Sequence, residues 1–296
     1  MKKFTYKIKL IFITISILMT LASCAPSNEA NSPANLSVHF IDVGQGDSTL
    51  ILAPQGEAML IDAGNNGVGD DVIAYMKNQG VEKLDVLVGT HPDADHIGGL
   101  DTVIYEYDIE SFYMPRKAHT TKTFKDVLLA AKEKGLNIKE AKIGEKFILG
   151  EDVKCEILNP VKEYGDDNNL WSVVVRIEYG KRSLLFMGDA EIENESDMLE
   201  YGAYVDSDVI KLGHHGSSTS SSESFIKAVS PDAAVVSCKM ENSYGHPHRE
   251  TLELLEKEGI ELYRTDEQGS VVFYCDKNRI WSDMNPGSYE YYGEMK

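Results

Sequence analysis

Short apolar or alternating runs recur along the chain, and such runs are typical of β-strands. They predict strands at 37–43, 49–53, 58–61, 84–88, 153–158, 171–179, 183–187, 208–212, 233–237, 260–263 and 270–274. Other segments repeat apolar side chains at the helical period and predict helices at 70–78, 123–134, 191–199, 223–229 and 249–257. Because the first half is rich in hairpins and strands alternate with helices later, we expect two helix-covered sheets in a single domain.

The N-terminal residues have the charge order of a secretory signal peptide. Lysines at positions 2, 3, 7 and 9 precede a mostly apolar run over 10–22, which is shorter than the roughly 20 residues of a membrane-spanning helix. The run ends in Leu21-Ala22-Ser23-Cys24, which resembles the lipobox of bacterial lipoproteins. This resemblance implies cleavage before Cys24 and a lipid on its thiol. A plain signal peptide with an incidental cysteine is the alternative.

The chain therefore divides into four expected parts. These are a lipoprotein signal peptide over 1–23, a polar and proline-containing tether over 24–36, a folded domain over 37–280 and a polar, tyrosine-rich tail over 281–296. We expect the tail to be frayed or packed on the surface. The expected location is the extracellular face of the bacterial cell membrane, with the lipid anchor as the sole attachment.

Charge excludes one class of function. The 296 residues include 48 acidic and 29 basic side chains, a formal net charge of −19, which becomes −23 without the four lysines of the leader. A polybasic protein that binds nucleic acid or a membrane surface over a wide area is therefore excluded. A protein that holds its nucleic acid at one metal site is still allowed.

Histidine and aspartate cluster directly after the strand predicted at 84–88. His91, Asp93, Asp95 and His96 place four potential ligands within six residues, which cannot all lie on one regular face. A loop can fold them around metal, with alternate residues directed at two adjacent ions. A solvated acidic loop is the alternative, but it does not explain the two histidines.

The sequence HPDADH in this loop resembles the HxHxDH signature of the metallo-β-lactamase superfamily. The segments FIDVGQGDSTLI, MLIDAG, THPDADHIGG, FMGDAE, IKLGHHGSSTS and NSYGHP are similar, in the same order, to the extracellular hydrolase domain of ComEC-type competence proteins. The resemblance runs from Val38 to Tyr274. It implies an α/β fold, a four-layer αββα sandwich, with a dinuclear metal site at one edge. The region 37–280 is then a metallo-β-lactamase-like hydrolase domain.

The resemblance also implies roles for individual residues. His91 and Asp93 should bind one metal ion, and Asp95 and His96 the other. Asp189, at a predicted strand end, matches the carboxylate that bridges the two ions.

The later motifs imply further residues of the site. Of His214 and His215, one is expected to bind metal and the other to donate a proton; His215 is taken as the ligand. His246 is either a ligand or a general acid, and a histidine in a surface turn is the alternative. The residues taken as catalytic are Asp95, His214, His215 and His246.

A supporting set lies around these residues. Asp62 matches the first superfamily motif, whose aspartate supports the metal loop without binding metal. Gln45 and Asp47 belong to a glycine-rich hairpin that either lines the site or forms a tight turn. Ser217 lies in a serine-rich stretch that either starts a helix or helps to hold a phosphate.

Two departures from the superfamily pattern bear on the metal. Asp93 stands where the signature has its second histidine. The superfamily's histidine between its second and fourth motifs has no counterpart, because no histidine occurs from 120 to 213, and Asn169 is the candidate to take its place. Carboxylate and amide donors make the site harder and more negative. We expect two divalent ions, Mn²⁺ or Zn²⁺, with Mg²⁺ as a further candidate. The same changes argue against classical β-lactamase activity.

These residues predict a surface-anchored, dinuclear metal-dependent hydrolase that cleaves a phosphodiester. By analogy with ComEC-type domains, its substrate is extracellular DNA and the enzyme is a nuclease. A choline-phosphate or teichoic-acid esterase, or a nucleotide phosphodiesterase, is the alternative for a small phosphodiester substrate. A metal-binding lipoprotein without turnover is a third interpretation. The sequence identifies no protein partner.

Overall fold

The computed structural model describes residues 35–293. The predicted signal peptide, Cys24 and nearly all of the tether lie outside the described residues. The tether was expected to reach residue 36, but Leu36 already belongs to the first strand and is fully buried. Within 35–293, no helix combines the length and the apolar character needed to cross a bilayer.

The described part of the chain forms strands and helices in the following order. The strands are β1 (Leu36–Phe40), β2 (Thr49–Leu52), β3 (Ala58–Ile61), β4 (Leu84–Val88), β5 (Ile109–Met114), β6 (Ile138–Glu140), β7 (Lys146–Leu149), β8 (Val153–Asn159), β9 (Val174–Tyr179), β10 (Arg182–Phe186), β11 (Val209–Lys211), β12 (Ala233–Val236), β13 (Glu261–Arg264), β14 (Val271–Cys275) and β15 (Ile280–Trp281). The α-helices are α1 (Gly69–Asn78), α2 (Ala94–Ile97), α3 (Leu100–Glu106), α4 (Lys122–Glu133), α5 (Ile192–Tyr201), α6 (Glu223–Val229), α7 (Arg249–Glu258) and α8 (Thr265–Gln268). Short 3-10 helices lie at Asn169–Trp171 and Gly213–Gly216.

The strands form two mixed sheets. The first has the order β15-β14-β1-β2-β3-β4-β5-β6, and the second has the order β13-β12-β11-β10-β9-β8-β7. In the first sheet β3, β4, β5 and β6 run parallel, and in the second β10, β11, β12 and β13 do. Each sheet therefore has a block of parallel strands whose carboxyl ends meet at one edge.

Alternation along the strands separates an inner core from two outer layers. The inward-facing side chains of both sheets meet in one apolar cluster, in which the rings of Phe40 and Phe186 are 6.0 Å apart. The outward face of the first sheet packs on α1, α3 and α4, and that of the second sheet packs on α5, α6 and α7. The predicted four-layer αββα fold is confirmed.

All the predicted strands and helices are present, with ends shifted by a few residues. The pattern missed four strands, β5, β6, β7 and β15, and the short helices α2, α3 and α8. Strand β6 is three residues long, and all three are exposed at a sheet edge, so it carries no apolar alternation. Helix α2 is four residues long and includes Asp95 and His96 of the predicted ligand cluster, where ligand chemistry, not helical periodicity, dictates the sequence.

The segment predicted as a polar tail packs on the surface over its described residues. It starts within β15, which pairs with β14. Tyr289 contacts the outer core of the second sheet, and its hydroxyl donates to the carbonyl oxygen of Ile260 at 2.5 Å. The Arg264 guanidinium donates to the carbonyl oxygen of Glu290 at 2.7 Å.

Candidate metal centre

The predicted ligands come together at the edge where parallel strands end. Asp62 follows β3, and the loop 91–96, here called the metal loop, comes after β4. Asp189 comes after β10, and the histidine pair at 214–215 follows β11. Clefts at the carboxyl ends of strands are the usual ligand sites of α/β sheets.

Three residues of this edge have left-handed backbone conformations. The φ angles are 59° at Asp62, 45° at His214 and 53° at His215. Such conformations cost on the order of 1 kcal/mol or more each and cluster at functional sites. The turn also requires Gly213, because a Cβ there would lie 2.3 Å from the carbonyl oxygen of Ala190. The histidine pair is thus held tightly against the segment that follows β10.

One oxygen of Asp189 faces the first set of ligands. Its Oδ1 lies 3.1 Å from Nε2 of His96 and 3.6 Å from Nε2 of His215. Nε2 of His215 is also 3.5 Å from Oδ2 of Asp95. Asp95, His96 and His215 therefore surround one position beside Asp189.

The other oxygen of Asp189 faces a second set. Its Oδ2 lies 3.8 Å from Nε2 of His91 and 3.9 Å from Nε2 of His214. Oδ2 of Asp93 is 3.8 Å from the same nitrogen of His91. The structure therefore divides the ligands into two sets that share the Asp189 carboxylate.

Several buried polar atoms of the centre lack a hydrogen-bond partner, as is expected where two cations bind. Nε2 of His91, His96 and His215 and Oδ1 of Asp189 are buried and have no hydrogen-bond partner. A buried polar atom without a partner costs about 1–3 kcal/mol, so four of them in one place call for a bound group. Imidazole and carboxylate donors together suit divalent ions of the first transition row.

The tautomers of the three histidines are fixed from behind. Nδ1 of His96 lies 2.8 Å from Oδ2 of Asp62, and Nδ1 of His215 lies 2.9 Å from the carbonyl oxygen of Ser237. Nδ1 of His91 lies 3.0 Å from the Thr90 hydroxyl. Since an acceptor faces Nδ1, the neutral form of each imidazole carries its proton on that nitrogen and directs Nε2 into the centre, as a metal ligand requires.

Electrostatics at the centre favour added positive charge. Burial lowers the pKa of His91 to about 3, so this imidazole is neutral. Burial also opposes protonation of His215, but the carboxylates of Asp189 and Asp47 outweigh it and raise its pKa to about 9. A buried group of carboxylates attracts a proton here for the same reason that it would attract a cation.

Asp62 organises the metal loop from beneath. Its side chain is fully buried and accepts hydrogen bonds from the Thr90 amide at 2.8 Å and the Thr90 hydroxyl at 2.6 Å, in addition to its contact with His96. Burial raises the pKa of Asp62. Its role is to fix the start of the loop and the orientation of one imidazole.

We expect Asp62→Asn to weaken metal binding about 10- to 100-fold while the chain still folds, because one amide oxygen cannot accept all three hydrogen bonds. Titration of the chelator-stripped protein with Mn²⁺ measures this change. Asp85→Asn is the matched control, since Asp85 lies on β4 and accepts from the Ala58 amide, away from the metal loop. Equal Mn²⁺ affinities for the two variants would contradict the role of Asp62.

The remaining two predicted catalytic histidines lie beside His215. Nδ1 of His214 lies 3.0 Å from Oε1 of Glu191 and 3.0 Å from the Thr219 hydroxyl. The His246 ring is 5.4 Å from that of His214 and 6.0 Å from that of His215, and its Nδ1 is buried without a partner. Burial, together with the neighbouring histidines, lowers the pKa of His246 to about 3, which favours a neutral imidazole.

The supporting residues named from the sequence lie around the centre at different distances. Asp47 is buried behind His215, with its Oδ1 3.3 Å from Nδ1 of that residue. Asn169 donates to Glu191 at 3.2 Å and so stands behind His214 instead of among the ligands. Gln45 accepts from the Lys239 amide at 3.3 Å, and the Ser217 hydroxyl accepts from the Thr219 amide at 3.2 Å, so both fix loops that border the centre.

Sequence reasoning missed several residues that contact the ligands. Asn168 donates to Oδ1 of Asp93 at 2.6 Å, and the Ser172 hydroxyl accepts from the Asp189 amide at 3.0 Å. Nothing in the local pattern distinguishes Asn168 from Asn169. The sequence did offer a signal for Lys211, which is a lysine within the predicted strand at 208–212, and the structure buries all three residues of β11.

Comparison with protein families decides the identity of the fold. The model of the metallo-β-lactamase superfamily matches residues 41–239, which include Asp62, the metal loop, Asp189 and the histidine pair. The chain belongs to the metallo-β-lactamase superfamily. His246 lies beyond the matched residues.

Competence proteins are among the similar curated proteins. ComE operon protein 3 of Bacillus subtilis is 32% identical over 90% of this chain and 35% of its own length. Competence protein ComA of Neisseria gonorrhoeae is 32% identical over 92% of this chain and 36% of its own length. The chain spans about a third of the length of these relatives, and the resemblance to ComEC-type hydrolase domains is confirmed.

Solved structures share the fold at low identity. Igni18, a metallo hydrolase from Ignicoccus hospitalis, superimposes with a TM-score of 0.54 at 17% identity over 80% of this chain and 98% of its own. YhfI of Bacillus subtilis, a metallo-β-lactamase fold protein, does so with a TM-score of 0.52 at 12% identity over 81% of this chain and 99% of its own. At these identities the agreement shows the fold alone.

Proposed function

We propose that this protein is a dinuclear metal-dependent phosphodiesterase that acts on extracellular DNA. The observation that carries the proposal is the Asp189 carboxylate, each oxygen of which faces a separate set of imidazole and carboxylate ligands. Two divalent ions at such a site supply Lewis acidity, which lowers the pKa of water and offsets the charge of a phosphate. DNA as the substrate is inferred from the similarity to competence proteins.

The residues of the chain would divide the work as follows. His91 and Asp93 would hold one ion, Asp95, His96 and His215 would hold the other, and Asp189 is placed to contribute to both. His214 is placed to give a proton to the leaving oxygen, because Glu191 and Thr219 fix its Nδ1 side while its Nε2 faces the centre. General acid catalysis of this kind contributes typically 10²–10⁴-fold.

The negative net charge supports small phosphodiesters as the second candidate substrates. A chain with 48 acidic and 29 basic residues lacks the broad positive surface that tracks a duplex and releases counterions. A choline-phosphate or teichoic-acid ester, or a nucleotide phosphodiester, would need only the metal centre and a short contact. Such a substrate changes the partner but not the reaction.

The experiment that tests the proposal separates reaction from substrate. The purified domain, stripped with chelator and reloaded with Mn²⁺, Mg²⁺ or Zn²⁺, is assayed on linear DNA and on bis(p-nitrophenyl) phosphate. Cleavage of both supports a DNA-directed phosphodiesterase, and cleavage of the small ester alone supports the second candidate. Two bound ions without cleavage of either compound would refute the phosphodiesterase proposal and favour a binding protein.

We also propose a lipid anchor at Cys24, which lies outside the described residues. Cys24→Ser should move the protein from the membrane fraction to the medium, because the apolar run ahead of it would be cleaved as a signal peptide. Fractionation of cells that express the full chain measures this, and Ser27→Ala in the tether is the control. A processed Cys24→Ser variant that still sediments with membranes would refute the anchor.

A further inference from the structure

A buried ammonium group lies directly behind the metal centre. Lys211 ends β11, and only 3% of its side chain is exposed. Its Nζ contacts Oδ2 of Asp47 and lies 3.3 Å from the carbonyl oxygen of Gly188, next to Asp189. A lysine is almost never buried this deeply unless it is paired, so the contact with Asp47 accounts for its position.

Asp47 is a carboxylate within ligand range of the centre. Its atoms form close groups with Asp189 and His215, and separately with Asp62 and His96, in which the potential ligand atoms lie within 4.8 Å of one another. Its Oδ1 has no hydrogen-bond partner. Asp47 therefore lies close enough to these ligands to compete with them for an ion.

The charges around the centre balance without Asp47 as a metal ligand. Five carboxylates, those of Asp47, Asp62, Asp93, Asp95 and Asp189, lie at this edge. Two divalent ions offset four of these charges, and Lys211 offsets the charge of Asp47. The two ions therefore balance the other four carboxylates, and Lys211 balances Asp47 without the help of a metal ion.

We propose that Lys211 is a positioning residue that holds the Asp47 carboxylate behind His215 and keeps it out of the coordination of the adjacent ion. Because Asp47 is held there, it faces Nδ1 of His215 instead of taking a position needed for water or substrate. The inference rests on the two-ion centre of the proposed function and is independent of the substrate.

The test compares Lys211→Met, Asp47→Asn and the double variant, each stripped with chelator. Lys211→Met should bind one Mn²⁺ ion at least about tenfold more tightly, because a positive charge is removed and a carboxylate is freed. Asp47→Asn should bind that ion at least about tenfold more weakly, because it leaves Lys211 unpaired beside the ion. The double variant should return to within about threefold of the unmodified chain, since the deleted pair is neutral.

The visible spectrum of the Co²⁺-loaded proteins tests the coordination itself. Extra coordination by Asp47 should weaken the Co²⁺ absorption in Lys211→Met, because ligand number and geometry determine these bands. The double variant should restore them. Tighter binding with an unchanged spectrum would overturn the proposal, since Lys211 would then act through charge alone. A double variant that resembles Lys211→Met would overturn it as well.

Stability provides the control. Arg264→Met removes the cation of another buried pair, with Asp266, in which both side chains are 1% exposed. It should lower the melting temperature without changing Mn²⁺ affinity.

Should Lys211→Met fail to fold, the neutral double variant keeps the test open through its predicted near-normal affinity and spectrum. None of these measurements uses a substrate, so an inactive protein would refute the phosphodiesterase proposal without affecting this one.

Discussion

Asp189→Asn is expected to remove one metal ion and to lower phosphodiester cleavage at least about a thousandfold. The reason is that both sets of ligands depend on this carboxylate: Oδ1 faces His96 and His215, and Oδ2 faces His91. An amide offers one oxygen and no charge. Losing several kcal/mol of transition-state stabilisation, at 1.36 kcal/mol for each factor of ten, gives about this loss of rate.

Metal analysis and turnover should be measured on the same preparations. The matched control is Asp208→Asn, because Asp208 precedes β11 at the opposite edge of the sheet and accepts from the Ser183 amide at 2.8 Å. It should keep two ions per chain. An Asp189→Asn protein with full occupancy and normal turnover would show that Asp189 does not bridge the ions.

Asp93→His is expected to move the metal optimum from Mn²⁺ toward Zn²⁺. Oδ2 of Asp93 faces Nε2 of His91, and its Oδ1 accepts from Asn168, so this carboxylate brings a hard, charged donor to one ion position. Imidazole is a softer donor and favours zinc. The ratio of the zinc rate to the manganese rate should rise about tenfold, which corresponds to about 1.4 kcal/mol.

The measurement is the phosphodiesterase rate across Mn²⁺, Mg²⁺ and Zn²⁺ after stripping and reloading. Asp93→Asn serves as the comparison, because it keeps the shape of the side chain and removes its charge. Identical metal profiles for Asp93→His and the unmodified protein would show that Asp93 does not determine selectivity. Loss of activity with every metal in Asp93→His alone would assign the requirement to side-chain shape.

The metal loop was accessible from sequence because its histidines and aspartates cluster directly after a predicted strand, whereas Asp189 and His215 were identified through the resemblance of their motifs. His91 and Asp189 come directly after the short apolar runs that became β4 and β10, and parallel strands place their carboxyl ends at one edge. Strands β6 and β7 escaped detection because they lie at sheet edges, where burial does not constrain the pattern.

The local period of the sequence by itself determined two helix-covered sheets, and residue type determined the donor chemistry of the site. The four-layer αββα arrangement followed from the resemblance of the motifs to the metallo-β-lactamase superfamily. Only the tertiary structure decided which oxygen of Asp189 serves which set, that Asn168 instead of Asn169 contacts Asp93, and that Lys211 meets Asp47. Lys211 ends β11 of the second sheet, whereas Asp47 lies in the loop between β1 and β2 of the first, far away in the chain. Their contact depends on how the two sheets stack at the edge, which no local pattern encodes.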